Sequence, residues 1–167
     1  MGESDMKTLL LLRHAKSSWD NARLSDYERP LNERGRRDAP RMGELLRHEG
    51  LIPDLIAASS AKRAATTAEL VALELSLDSD IRYTEKLYLA EPNAYITLAR
   101  QLDDDIETLL MVGHNPGIQE LVEWLTGKEE TMSTAALAYI RIPILKWSEL
   151  AGGKQYELAH VWRPKEL

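Results

Sequence analysis

Lys7-Thr8-Leu9-Leu10-Leu11-Leu12-Arg13-His14-Ala15-Lys16-Ser17-Ser18-Trp19 is the stretch on which the fold of this chain turns. Its apolar run is short enough for a single strand, and it lacks the alternation of a half-exposed one. Both faces must therefore be covered, as at the centre of a parallel sheet. The run stops at an arginine beside a histidine and passes into small hydroxylated residues and a tryptophan. A strand ending in two chemically capable side chains directs attention to the other strand ends.

The chain has 167 residues, about the length of one domain, and 44% of them are hydrophobic, enough to bury a core. One domain over residues 1–167 is expected, without linker, repeat or low-complexity segment. The absence of cysteine excludes disulfides and thiolate-held zinc, and a reducing compartment suits the chain. A formal charge of −6 argues against a nucleic-acid partner, which needs a basic face, but leaves room for a local basic pocket. Acid precedes any apolar run at the N-terminus, and Leu9 to Leu12 is too short for a signal core or a membrane span. Met6 stands where N-myristoylation requires Ser or Thr. A cytoplasmic protein with no membrane attachment is expected; its oligomeric state is left open.

Outward from the first strand, residues 16–31 read as a polar loop. Asn32 is placed as the cap of a helix whose stripe, Gly35, Ala39, Met42, Leu45 and Leu46, ends at Gly50 and is expected to kink at Pro40. Leu55 to Ala58 reads as a second buried strand. Ser59 or Ser60 would then cap an alanine-rich helix carrying Arg63 in its first turn. A short third strand over 81–84 and a helix over 92–102 precede a fourth strand, Thr108 to Val112, that ends in Gly113-His114-Asn115-Pro116-Gly117. Asn115 as cap and Pro116 as first residue would start a helix that stops at Gly127. Ala136 to Ile142 and Gln155 to Trp162 follow as strands with no helix between them, hence antiparallel near an edge. The alternation predicts a three-layer α/β/α domain with a mostly parallel central sheet and an antiparallel edge.

In open α/β sheets ligands bind beyond the carboxyl ends of the strands, so Arg13, His14, Arg63 and His114 can share one crevice. Arginine forks and helix starts suit phosphate oxygens. The same positive field disfavours imidazolium, leaving a neutral ring nitrogen able to attack phosphorus and form a phospho-enzyme. A second histidine can donate to the oxygens of the transferring group.

Leu-Leu-Arg13-His14-Ala15-Lys-Ser-Ser-Trp, Pro30-Leu31-Asn32-Glu-Arg-Gly35, Ser59-Ser60-Ala-Lys-Arg63-Ala and Val112-Gly113-His114-Asn115-Pro116-Gly117 together resemble the histidine phosphatase superfamily, in particular its SixA-type phosphohistidine phosphatase branch. The motifs keep the family's order from residue 9 to about residue 140. The resemblance implies a phosphoglycerate mutase-like fold, no cofactor or metal, and His14 as the phosphorylated nucleophile, with Arg13, Arg63 and His114 completing a phosphate pocket. The implied substrate is a phosphohistidine-bearing protein; alternatives are a small phosphomonoester, or phosphate binding without hydrolysis. Ala15 replaces the commoner glycine of the first motif. Many relatives carry a glutamate general acid after the third strand, where Leu89 falls here, with Glu85 and Glu91 only nearby. A missing acid would suit a P–N substrate, whose leaving group needs less help than an alkoxide.

Ser17 and Lys16 could reach phosphate through the loop, and Asn115 could add a ligand contact to its capping role. His48, in the last turn before Gly50, and His160, beside Trp162, read as structural. Trp124, Trp147 and the Tyr88–Tyr95 region read as core or rim, and Arg34, Arg36, Arg37 and Arg41 as a solvated basic face or a dock for an acidic partner.

Overall fold

The computed structural model describes residues 6–77 and 81–167. Strand β1 (Lys7–Arg13) lies inside a six-stranded sheet, between the parallel strand β4 (Thr108–Gly113) and the antiparallel strand β5 (Leu137–Ile142). Parallel strands β2 (Leu55–Ser59) and β3 (Ile81–Thr84) continue the sheet beyond β4, and β6 (Glu157–Trp162) pairs antiparallel with β5, giving the order β3-β2-β4-β1-β5-β6. The expected mostly parallel sheet with an antiparallel edge is present.

Successive strand side chains point to opposite faces, so the leucine run of β1 feeds two cores at once. Leu9 and Leu11 enter the cluster built with helices α3 (Pro92–Arg100) and α4 (Gly117–Thr126); Leu10 and Leu12 enter the one built with α1 (Glu33–His48) and α2 (Lys62–Glu74). All four leucines are at most 1% exposed, which accounts for the missing alternation. Helices on both faces make the three layers.

The helix starts depart from the sequence expectations in instructive ways. Asn32 caps α1 as expected, its side-chain oxygen accepting the Gly35 N–H at 2.9 Å, and the helix is continuous through Pro40. Neither Ser59 nor Ser60 caps α2; Ala61 precedes it, and the Ser59 hydroxyl accepts the Ala61 N–H at 3.2 Å. Helix α4 begins at Gly117, after a cis Asn115–Pro116 bond, so Asn115 is not an ordinary cap and Pro116 is not the first helical residue. Asn115 instead clamps the turn, its amide donating to the Met132 carbonyl at 2.8 Å and accepting the Gln119 N–H at 3.2 Å. Gly127 ends α4 in the left-handed region, at φ 74°.

One close approach fixes the loop after β1. A Cβ on Gly35 would lie 2.2 Å from the Lys16 carbonyl oxygen, which also accepts the Asn32 N–H at 3.0 Å. The start of α1 thus presses on the segment two residues past His14. Gly35→Ala should cost about 1–3 kcal/mol by overpacking against backbone, measured by urea unfolding; an unchanged midpoint would show that this contact does not constrain the loop.

Candidate active site

Arg13 and His14 leave the carboxyl end of β1, His114 follows β4, and Arg63 lies in the first turn of α2, next to the end of β2. Topology thus brings to one crevice four side chains spread over about a hundred residues of sequence. His14, His114 and Arg63 are 7%, 1% and 3% exposed, so water does little to screen their charges. The backbone of the junction is tied on every side. The His14 N–H donates to the Gly113 carbonyl at 3.0 Å, and its carbonyl accepts from Ala135. The Ala15 N–H donates to the Thr67 hydroxyl at 3.0 Å, which donates to the Arg63 carbonyl at 2.7 Å.

Hydrogen bonding distinguishes the two imidazoles. His14 Nδ1 lies 2.8 Å from the Ala15 carbonyl oxygen, which can only accept; the proton therefore sits on Nδ1 and Nε2 keeps its lone pair. His114 Nε2 lies 2.8 Å from the Ser59 hydroxyl, the serine expected to cap a helix. The Ser59 oxygen already accepts the Ala61 N–H and its own proton has no other acceptor among the described residues, which assigns Ser59 as the donor to Nε2 and the His114 proton to Nδ1. His114 Nδ1 and Arg13 Nε are buried without a hydrogen-bond partner among the described residues. Buried orphan donors call for an explanation, and beside Arg63 an anion supplies one.

The ring centroids of His14 and His114 are 5.2 Å apart, tilted by 55°. Burial pushes the His14 pKa down to about 3, helped by His114, Arg63 and Arg13 and opposed by the bond to Ala15. Burial, with Arg63 and Arg13, pushes His114 down to about 4 against the pull of Asp26. Both rings are neutral near pH 7.

Asp26, inside the loop read only as polar, is the residue sequence reasoning missed. Arg63 donates to its carbonyl at 2.6 Å and to its Oδ2 at 2.9 Å; Tyr88 donates to Oδ2 at 2.5 Å, and Arg29 to Oδ1 at 3.0 Å. Tyr88 stands edge-on to His114, with centroids 5.5 Å apart, and edge-on to Tyr27. Arg29 stacks on Trp19, which is 73% exposed. The sequence signal is positional: Tyr88 lies between Glu85 and Glu91, in the segment where many relatives carry their general acid.

The other expected residues go elsewhere. The Ser17 hydroxyl accepts from Arg29 at 2.5 Å, and both ends of the Asn115 amide are committed to the turn it clamps. Lys16, Glu85 and Glu91 are exposed, and neither glutamate side chain bonds to the pocket among the described residues. His48 and His160 are exposed and remote in the fold, at the end of α1 and on the edge strand β6. Trp147 is core, donating to the Ile106 carbonyl at 2.7 Å. The basic face is partly used internally, since Arg34 and Arg41 flank the buried Asp38 at 3.5 and 3.2 Å. Among the described residues no three His, Cys, Asp or Glu side chains cluster as a metal site, and no helix is long and apolar enough to cross a membrane.

Comparison with known proteins agrees with this geometry. The model of the histidine phosphatase superfamily (branch 1) matches residues 9–88. An uncharacterized protein of Mycobacterium leprae, ML1117, is 32% identical over 135 residues, covering 79% of this chain and 81% of its own length. In this and three other uncharacterized relatives, from Arabidopsis thaliana and Mycobacterium tuberculosis, the matched part runs from 63% to 81% of the relative's length, and in 2,3-bisphosphoglycerate-dependent phosphoglycerate mutases from 25% to 29%. The structure assigned as the phosphohistidine phosphatase SixA of Agrobacterium tumefaciens superposes with a TM-score of 0.80 at 26% identity, over 95% of this chain and 98% of that one. The one so assigned from Nakamurella multipartitia reaches 0.83 at 24% identity, over 95% and 96%. With the phosphoglycerate mutase-like fold and the four motifs in place, the chain belongs to the histidine phosphatase superfamily.

Proposed function

We propose that this phosphatase removes phosphate from phosphohistidine in proteins, through an intermediate in which the phosphate is carried on Nε2 of His14. The observation that carries the reading is the bond from His14 Nδ1 to the Ala15 carbonyl, which leaves a neutral, lone-pair-bearing Nε2 in the positive field of Arg63 and Arg13.

Arg13 and Arg63 hold the phosphoryl oxygens, and the orphaned donors Arg13 Nε and His114 Nδ1 add hydrogen bonds where negative charge accumulates. His14 Nε2 attacks phosphorus in line with the leaving group, forming one P–N bond as the substrate's bond to phosphorus breaks. The proton stays on Nδ1, shared with the Ala15 carbonyl. When water then attacks the phospho-enzyme, His14 departs as a neutral imidazole and the water proton passes to phosphate or solvent.

The leaving group in the first step discriminates between substrates. An alkoxide needs a positioned acid, and Glu85 and Glu91 are exposed, with no side-chain bond to Arg13, His14, Arg63 or His114 among the described residues. Tyr88, Arg63 and Arg29 hold the Asp26 carboxyl well below the usual carboxylate range, so it is ionised and has no proton to give. An imidazole leaving group suits such a site better than an alkoxide does. The fold likeness to proteins assigned as SixA supports the same choice.

His14→Ala should reduce turnover of a phosphohistidine-bearing carrier protein to background, and Arg63→Ala should lower it roughly 10²–10³-fold through lost charge stabilisation. Sugar or nucleotide phosphates turned over faster than the carrier would contradict the substrate assignment, and activity surviving His14→Ala would contradict the mechanism. The depressed histidines also couple to folding. A group with a folded pKa near 3 and an unfolded one near 6.5 binds fewer protons when folded, so stability falls as pH drops between those values. His14→Ala should therefore lose less unfolding free energy than the wild type between pH 7 and pH 4. Parallel losses in denaturant titrations would show that His14 is not depressed.

A further inference from the structure

The phosphohistidine reading leaves one chemical requirement open. When the substrate's P–N bond breaks, its electron pair returns to the ring nitrogen that held phosphorus. If the other ring nitrogen carries a proton, the product is neutral imidazole; if not, it is the far less stable imidazolate. The site already meets this requirement for His14, where the Ala15 carbonyl holds the proton on Nδ1. The substrate's ring needs an equivalent acceptor at the pocket mouth.

Asp26 has the chemistry and the place. Its side chain is 43% exposed, so an incoming ligand can reach it, while its partner Arg63 is buried in the phosphate pocket. Oδ2 already receives two donors, Arg63 and Tyr88, but Oδ1 receives only Arg29. A carboxylate oxygen has room for about two hydrogen bonds, so Oδ1 keeps one acceptor position. Its neighbours are aromatic or carry an aromatic partner: Tyr88 bonds the other carboxylate oxygen and packs edge-on against Tyr27, and Arg29 stacks on the exposed Trp19.

We infer that Asp26 is a specificity residue whose Oδ1 accepts the N–H of the substrate's second imidazole nitrogen, so that phosphohistidine departs as neutral imidazole while a phosphomonoester gains nothing. This rests on the phosphohistidine reading and assigns the selection to one side chain. Arg63 binds phosphate and Asp26 together, which sets the leaving group's ring at a fixed distance from the phosphoryl group. The carboxylate accepts a hydrogen bond throughout and never transfers a proton, so the step balances without an acid.

The test compares two small substrates with the same phosphoryl group, so that protein docking plays no part: phosphoimidazole, whose second nitrogen can be protonated, and p-nitrophenyl phosphate, whose leaving group needs no proton. Any loosening of Arg63 in Asp26→Asn lowers both activities alike, so the readout is their ratio: kcat/KM for phosphoimidazole relative to that for p-nitrophenyl phosphate should fall about 10- to 100-fold, the value of one hydrogen bond to a charged group. Urea unfolding reports whether the variant is folded; if it is not, Asp26→Ser is put through the same comparison. An equal fall for both substrates would mean that Asp26 acts only by holding Arg63, overturning this inference while leaving the phosphohistidine reading intact. If instead the wild type hydrolyses p-nitrophenyl phosphate but neither phosphoimidazole nor a phosphohistidine carrier, the underlying reading fails and the inference falls with it.

Discussion

Two buried imidazoles, the buried Arg63 and the half-buried Arg13 at the end of one sheet cannot all be charged, and the rest of the site follows from that constraint. Two unit charges at the 5.2 Å separation of the histidine rings repel by about 3 kcal/mol at an effective dielectric near 20, before either arginine is counted. The arginines cannot give up their protons, so the imidazoles do. Neutrality then has to be made useful. The Ala15 carbonyl fixes the proton of His14 on one nitrogen, and Ser59 engages the opposite nitrogen of His114, so one ring offers a lone pair and the other a hydrogen.

The fold supplies what this arrangement needs. The leucines of β1 anchor the strand in both cores, and the Gly113, Ala135 and Thr67 contacts hold the chain rigid as it leaves the sheet. Asp26 adds the countercharge. It bonds Arg63 through both its carbonyl and its carboxylate, so the loop over the pocket is tied to the same arginine that phosphate needs. The same loop is held against α1, where Gly35 leaves room for the Lys16 carbonyl.

Much of this was legible in the sequence, and the gaps have physical causes. The leucine run foretold a central strand because hydrophobic periodicity reports burial directly. Arg13, His14, Arg63 and His114 were legible because each follows or lies beside a strand end, and parallel topology gathers such ends together. Ser59 was misread because a serine before a helix is usually its cap, and only the three-dimensional position of His114 reveals its other partner. Asp26 was lost for a related reason. One aspartate in a polar loop carries no periodicity, and its link to Tyr88 spans sixty-two residues of sequence. The start of α4 was misplaced because Asn-Pro is a good helix signal locally, while here the Asn115 amide is bound by Met132 and Gln119.

The proposed chemistry requires that phosphate pass through Nε2 of His14. Rapid acid-free quenching of the protein during turnover, followed by phosphorus NMR and peptide mass spectrometry, tests it most directly. An acid-labile, base-stable phosphate on the Nε2 position of His14, formed and lost at the rate of turnover, is the expected result. Phosphate on His114, or turnover with no phosphorylated histidine formed at a competent rate, would contradict it.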